Sequence, residues 1–176
     1  MTTGVRARRS RASPPPGAAA PAPRPSQSVI VVQYRTPRAG LPAATTVRRI
    51  GALALARPAQ VTVRFVGRRE GRHLNAVYRR RDHATNVLTF VYDADDSSVR
   101  HRTRPLTGDI VLCVPVLRAE ATMQGKALIA HCAHLLIHGF LHLQGLDHQR
   151  RDEAARMERR ETALLATLGY PDPYAS

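Results

Sequence analysis

The chain has 176 residues, of which 43% are hydrophobic and 23% charged, a size and composition typical of one globular domain rather than two large ones. Its longest apolar runs are shorter than the roughly 20 residues that a membrane helix needs, and no apolar stretch follows the basic start. We therefore expect neither a membrane partner nor a signal peptide. Both cysteines, Cys113 and Cys132, lie in apolar segments, which favours buried thiols in a reducing cytoplasm.

The formal net charge of +14 is the strongest global signal, because 27 basic residues are set against only 13 acidic ones. Lys126 is the only lysine, and arginine side chains form paired hydrogen bonds with phosphate groups. The coding bias of a GC-rich genome would explain arginine in place of lysine, but not the excess of basic residues. The charge therefore favours a polyanionic partner, nucleic acid foremost.

Residues 1–27 differ in composition from the rest of the chain. They contain five arginines, six prolines and no acidic residue, with almost no large apolar side chains to offset the entropy of folding. We predict a disordered basic tail at 1–27 and one folded domain at 28–176.

The folded part mixes strand and helix patterns. Period-two alternation and β-branched runs predict strands, apolar residues at helical spacing predict helices, and the aperiodic stretch 93–107 predicts a surface loop. In chain order the predicted elements are a strand at 28–35, a helix at 41–56, a strand at 60–67, a helix at 69–82, strands at 86–92 and 108–114, and helices at 115–124, 127–143 and 151–168. This order indicates an α+β domain with one sheet of about four strands and a buried central helix at 127–143.

Apolar residues recur at helical spacing in several of the predicted helices, including Val47, Ile50, Leu53 and Leu55 in the helix at 41–56. In the helix at 69–82 these residues are Leu74, Val77 and Tyr78. In the helix at 151–168 the residues expected to point inward are Met157, Leu164, Leu165 and Leu168.

The segment HGFLHLQGLDH at 138–148 contains three histidines. His138 and His142 are four residues apart on the predicted central helix, so their imidazoles rise from one face a turn apart. Gly145 permits the left-handed turn that ends the helix, after which His148 supplies a third nitrogen. Three neutral histidines bind zinc and leave one position for water, whose pKa the metal lowers to about 7. We predict a catalytic metal site at His138, His142 and His148.

Three nearby residues carry weaker signals. His131 and His134 lie on the same stripe of the helix, and we interpret them as interior residues or as supports for the ligands. Asp147 is adjacent to the third histidine, where it either orients an imidazole or stabilises the turn.

The same histidine spacing occurs in metzincin proteases, but those enzymes carry a glutamate directly after the first histidine as general base. Gly139 occupies that position here. The absence of this carboxylate disfavours peptide hydrolysis. Phosphodiester cleavage depends more on neutralising the charge of the phosphate, which a metal and an arginine do together.

Two long stretches resemble one known family. HGFLHLQGLDH is similar to the H-G-x-L-H-L-x-G-x-D-H signature of the YbeY family, which are bacterial endoribonucleases of ribosomal RNA maturation. LNAVYRRRDHATNVLTF at 74–90 is similar to the family's L-N-x-x-Y-R-x-K-D-x-x-T-N-V-L-S-F. The likeness includes GDIVLC at 108–113 and LGYPDPY at 168–174. It departs at Arg81, Thr89, Val91 and Leu146, none of which is a predicted metal ligand.

The resemblance implies a single zincin-like domain that holds one zinc ion, or another divalent transition metal, on His138, His142 and His148. It places the family's functional arginine on Arg79. The implied activity is cleavage of single-stranded RNA in 16S rRNA 3′-end maturation and ribosome quality control, in the cytoplasm and with ribosomal small-subunit partners. For the neighbouring Arg80 we expect only a solvated helix end.

Two other classes of function remain open at this point. One is a metalloprotease, which the ligand spacing favours and Gly139 disfavours. The other is a ribosome assembly factor without enzymatic activity, in which the metal is structural and the basic surface only binds RNA.

Overall fold

The structure, a computed structural model, describes residues 27–92, 105–146 and 150–175. The predicted tail up to residue 26, most of the predicted loop at 93–107, and the predicted ligand His148 lie outside these ranges. Within them the elements are β1 (Val29–Tyr34), α1 (Ala44–Ala54), β2 (Ala59–Val66), α2 (Arg68–Arg79), β3 (Val87–Val91), β4 (Leu106–Cys113), α3 (Val114–Met123), α4 (Leu128–Leu143) and α5 (Arg151–Thr167).

The strands of the described residues form one four-stranded sheet in the order β1-β2-β4-β3. β1, β2 and β4 are parallel, so that Val63 of β2 lies opposite both Val32 and Ile110, while β3 runs antiparallel to β4. The apolar runs of β2 and β4 are typical of central strands that are covered on both faces. The predicted α+β class with a sheet of about four strands is confirmed.

The larger core lies on the sheet face that α4 covers. Side chains of β2 and β4 that point to this face, such as Phe65, Ile110 and Leu112, are fully buried there. α1 and α5 both contact α4, and Phe140 of α4 is fully buried. Each such side chain stabilises the fold by roughly 1.5–3 kcal/mol on burial. Since this face buries more of them than the opposite face does, it supplies the larger share of the apolar stabilisation.

The opposite face of the sheet carries a smaller core beneath α2. Strand residues alternate between the two faces, which directs Val66, Leu88, Val111 and Cys113 to this side, where Leu74 of α2 packs against them.

The apolar spacing of α2 does not correspond to a buried stripe. Leu74 is half-buried, but Val77 and Tyr78 are 57% and 64% exposed. The Tyr78 ring meets Phe90 of the edge strand β3 edge-on, with 4.8 Å between the ring centroids. The helix that this spacing predicts is present, but the spacing does not mark Val77 and Tyr78 as buried positions.

Two predicted boundaries of the strand at 108–114 differ from the structure. Leu106 and Thr107, assigned to the surface loop, are the first residues of β4. Val114, expected as the last residue of a strand, begins α3. Pro115 fits the first turn of that helix because its missing N–H would have no partner there.

No single helix of the described ranges is long and apolar enough to cross a membrane. α3 and α4, which are bent by 117° relative to each other, together meet that test by length and composition.

Candidate metal centre

The predicted ligands of the central helix lie on its narrow accessible side. From His131 to Leu143, every residue of α4 is buried except His134, His138 and His142. These three are spaced four residues apart, so they form one line along the helix. We call them the histidine line. The buried remainder of α4 packs on the sheet and so fixes the direction of the line.

His138 and His142 approach each other through their outer nitrogens. Nε2 of His138 lies 3.0 Å from Nε2 of His142, and the ring centroids are 4.5 Å apart. A tetrahedral zinc ion with bonds of about 2.0–2.1 Å separates its nitrogens by roughly 3.3 Å. The two imidazoles therefore fit a shared ion with little movement, and the structure brings these two predicted ligands together.

The helix ends at the glycine expected for the turn. Gly145 has a φ of 82°, and the N–H of Leu146 donates to the carbonyl of Leu141 at 3.2 Å, as in a left-handed helix ending. The third predicted ligand, His148, follows this turn but lies outside the described ranges, as does Asp147, so their roles stay predictions. Within the residues that the structure describes, no group of three His, Cys, Asp or Glu side chains is arranged to hold a metal.

A carboxylate from α5 contacts the histidine line. Oε1 of Glu161 lies 2.8 Å from Nδ1 of His138, and Oε2 lies 3.3 Å from Nε2 of His134. The hydroxyl of Tyr174 donates a hydrogen bond to Oε2 as well. Both carboxylate oxygens of Glu161 thus accept hydrogen bonds, and its side chain is completely buried.

The pKa values of this group follow from burial and hydrogen bonding. Burial raises the pKa of Glu161, but the hydrogen bonds from His134, His138 and Tyr174 outweigh it and lower the pKa to about 2. Glu161 is therefore ionised at neutral pH. Burial and the hydrogen bond to Glu161 raise the pKa of Tyr174, which keeps its hydroxyl protonated as a donor.

Sequence reasoning does not single out Glu161, although a signal for it exists. Met157, Glu161 and Leu165 are spaced four residues apart and all three are buried in α5. An acidic residue inside the apolar stripe of a helix needs a buried polar partner. Here the partners are His134 and His138.

A second carboxylate–imidazole pair lies nearer the start of α4. His131 is only 5% exposed, and its Nε2 lies 2.9 Å from Oε2 of Glu120 in α3. Asn86 donates to the same oxygen at 3.2 Å and accepts a hydrogen bond from the N–H of Val87 at 2.7 Å. His131 is thus an interior residue, which is one of the two roles expected for it.

Comparison with known proteins establishes the family of this chain. Residues 43–169 match the family model described as Endoribonuclease YbeY. The chain belongs to that family. The Endoribonuclease YbeY of Aromatoleum aromaticum is 56% identical over 138 residues, which cover 78% of this chain and 84% of that protein. The one from Nitrosospira multiformis is 46% identical over 178 residues, which cover 97% of this chain and 94% of that protein.

A solved structure supports the fold of this YbeY-family chain. The solution structure of a Thermotoga maritima protein matches it with a TM-score of 0.51 and 19% identity, covering 84% of this chain and 100% of the other. At this identity the match concerns the fold alone. The predictions of YbeY-family membership and of a single-domain zincin-like α+β fold are confirmed.

Gly139 separates this YbeY-family chain from the metzincin arrangement. A Cβ at Gly139 would lie 2.9 Å from Cγ2 of Ile110, closer than real Cβ atoms approach their neighbours. The position therefore faces β4 across the core and not the accessible side of α4. A glutamate base has no room here unless the Ile110 side chain moves.

Arg79, which the family resemblance singles out, is the exposed last residue of α2. Arg80 adopts the left-handed conformation that ends the helix, and its N–H donates to the carbonyl of Ala76 at 3.1 Å. Among the described residues, Arg79 makes no hydrogen bond or ion pair with His138 or His142. Its guanidinium is available to a group from outside the chain, and its catalytic role stays a prediction.

Proposed function

We propose that this YbeY-family chain is a metal-dependent endoribonuclease that cuts single-stranded precursors of ribosomal RNA. Its family is named for endoribonuclease activity, and so are relatives such as the one from Nitrosomonas europaea, 51% identical over 146 residues. The observation that carries the proposal is the histidine line on an otherwise buried stretch of helix. We assign the enzyme to maturation of the 16S rRNA 3′ end and to ribosome quality control in the cytoplasm, with ribosomal small-subunit proteins as partners.

The metal in this proposal is one zinc ion on His138, His142 and His148. Neutral imidazole nitrogens suit zinc, and the 3.0 Å approach of two Nε2 atoms supports a shared ion. When bound, the ion supplies positive charge beside the scissile phosphate and acidifies a water molecule. The protein contributes three neutral imidazoles, of which at least two are held in place by a buried helix.

Arg79 is the proposed catalytic residue. Its guanidinium binds the scissile phosphate through paired hydrogen bonds and neutralises the charge that develops there. The exposure of this side chain supports the assignment. The attacking group is either water or the 2′-hydroxyl of the substrate, and only the second leaves a cyclic phosphate.

The exposed side of α2 is the proposed surface that gathers RNA. The exposed arginines of this helix and of the turn after it, apart from the ion-paired Arg72, form what we call the α2 arginine surface, and they are Arg68, Arg69, Arg79, Arg80 and Arg81. The nearby acidic residues Glu70 and Asp82 pair with other arginines, namely Arg64 and Arg72. The surface therefore keeps its positive charge, and RNA that binds there releases counterions, so affinity falls steeply with salt.

The two alternatives differ in what supports them. The packing of Gly139 against Ile110 leaves no room for the glutamate base of a metzincin protease. An assembly factor without catalysis has the same basic surface and the same histidines. It differs in one outcome: His142→Ala, if folded, would then still support normal ribosome assembly.

The test combines metal analysis with cleavage of single-stranded ribosomal RNA fragments. His138→Ala is expected to lose the metal and, with it, cleavage. Arg79→Ala is expected to keep the metal but lose at least about 100-fold in cleavage rate, the typical cost of removing one charge-stabilising group. Arg49→Ala, which removes an exposed arginine of α1, is the matched control and is expected to behave as the wild type.

Three results would each contradict a different part of the proposal. Normal cleavage by Arg79→Ala would remove that residue from the mechanism. Full metal content in His138→Ala would show that the proposed set of metal ligands is wrong. Cleavage of peptides without any effect on RNA would replace the endoribonuclease with the protease alternative.

A further inference from the structure

Glu161 is the only acidic residue that is buried among the described residues. Burying a carboxylate is unfavourable unless its oxygens accept hydrogen bonds. Oε1 of Glu161 contacts His138, and Oε2 contacts both His134 and Tyr174. The carboxylate is thus a fixed acceptor beside the imidazole of a predicted ligand.

The contact with Glu161 determines which nitrogen of His138 carries the hydrogen. A carboxylate only accepts hydrogen bonds, so Nδ1 of His138 is the donor at 2.8 Å. In a neutral imidazole the other nitrogen, Nε2, then holds the lone pair. Nε2 is the atom that faces His142 at 3.0 Å. Glu161 therefore directs the lone pair of His138 toward the second predicted ligand.

Tyr174 reaches Glu161 from the C-terminal segment, which we define as residues 170–174. The N–H of Tyr174 donates to the carboxylate of Asp172 at 3.0 Å, and Thr162 of α5 donates to the same oxygen at 3.2 Å. These bonds tie the segment to α5 beside Glu161. The segment thereby holds in place the hydroxyl that donates to Oε2.

We propose that Glu161 is a positioning residue for the metal ligand His138, and that Tyr174 makes metal affinity depend on the C-terminal segment. The inference rests on the proposed function in one respect, the role of His138 as a ligand. A carboxylate that accepts from the far nitrogen of an imidazole fixes the ring and raises its basicity, which strengthens metal binding.

A purely structural role for Glu161, joining α5 to α4, is the competing explanation. The pair Glu120–His131 provides the matched control, because it is also a carboxylate–imidazole bond to α4, at 2.9 Å and with a buried imidazole. Loss of either bond weakens the attachment of α4 to a neighbouring helix. Only loss of the Glu161 bond changes the orientation of His138.

The experiment measures the zinc affinity of the full chain by competition with a chromogenic chelator, together with thermal unfolding of the metal-free forms. Glu161→Met, which removes both acceptors at similar length, is expected to lose about 10–100-fold in affinity. Glu161→Gln keeps one acceptor and is expected to recover part of that loss. Tyr174→Phe is expected to lose about fivefold, the effect of one hydrogen bond. Glu120→Gln is expected to bind zinc as the wild type does.

The outcomes separate this inference from the proposed function. If His138→Ala loses zinc while Glu161→Met, Glu161→Gln and Tyr174→Phe all keep wild-type affinity, the positioning role is refuted and the ligand set stands. If His138→Ala keeps zinc, the ligand set fails and the inference fails with it. If the Glu161 variants do not fold, Tyr174→Phe decides, because loss of one hydroxyl leaves the core intact. An equal loss of affinity in Glu120→Gln would also refute the inference.

Discussion

The two faces of the sheet differ in packing and in charge. α4 buries ten of its residues against the core, whereas α2 buries only Gly71 and Asn75. The first helix holds imidazoles in a fixed direction, which a metal site requires. The second helix is weakly packed and carries exposed arginines. Such a helix is sufficient to bind the phosphates of a flexible single-stranded RNA. From this difference we expect that mutations can separate stability and metal binding from the proposed RNA affinity of the α2 arginine surface.

The most severe test of this comparison is Gly139→Glu on the α4 face. Overpacking costs about 1–3 kcal/mol and an unpaired buried carboxylate several more, so the free energy of unfolding is expected to fall by at least about 3 kcal/mol. Urea denaturation measures the loss. Ala163→Glu, on the exposed side of α5, serves as control and is expected to change stability by at most about 0.5 kcal/mol. A stable Gly139→Glu protein would show that α4 is not packed as tightly as described.

The α2 face is tested by the double variant Arg68→Ala and Arg69→Ala. Two fewer phosphate contacts are expected to weaken RNA binding. They are also expected to reduce the salt slope, the steepness with which the logarithm of the binding constant falls with the logarithm of salt concentration, by about 1.4, at about 0.7 per contact for single strands. These arginines lie at the helix N-terminus, where positive charge is unfavourable, so stability is expected to rise by about 0.3–1 kcal/mol per residue at low salt. Binding titrations over a salt series and urea denaturation measure the two effects.

The control for that variant is Arg35→Ala with Arg49→Ala, which removes the same charge from exposed positions outside α2. It is expected to leave the salt slope near the wild-type value. An equal reduction of the salt slope in both double variants would mean that RNA binding depends on the net charge of the protein and not on the α2 arginine surface.

The smallest effect concerns the two cysteines, one in each core. Cys113 lies in the α2 core and Cys132 in the α4 core, both at most 1% exposed. Burial raises the pKa of both thiols, that of Cys132 to about 12, so neither is expected to react with a thiol reagent in the native protein at neutral pH. In low urea, Cys113 is expected to react first, because fewer contacts hold α2 and local opening there is easier. Mass spectrometry of labelled peptides measures the order, and earlier labelling of Cys132 would reverse the comparison.

Much of this fold is predictable from the sequence because local patterns and tertiary packing agree. The apolar surface of 127–143 predicts a buried helix, and its histidine spacing predicts the approach of His138 and His142 that the structure contains. Val77 and Tyr78 show the limit of such patterns. Their helical spacing suggests a buried stripe, but the small core beneath α2 is filled by Leu74 and strand residues. Spacing along a helix does not reveal how much core lies beneath it.

The supporting residues of the candidate site are less predictable, because they come from distant parts of the chain. Glu161 is 23 residues from His138, and Tyr174 lies beyond the end of α5. Their meeting depends on how α5 packs on α4, and no local pattern determines that angle. The order of the strands, with β4 between β2 and β3, depends on packing in the same way.

The line of three accessible histidines on α4 has a consequence for saturation mutagenesis. Between His131 and Leu143, each residue either is buried or belongs to the histidine line. We therefore expect no position in this stretch at which most substitutions are neutral. Selection for protein abundance would detect the interior positions, whereas selection for RNA processing would detect those and the line together. Positions that only the second selection detects would be those of the histidine line, and finding them would need no assumption about the metal.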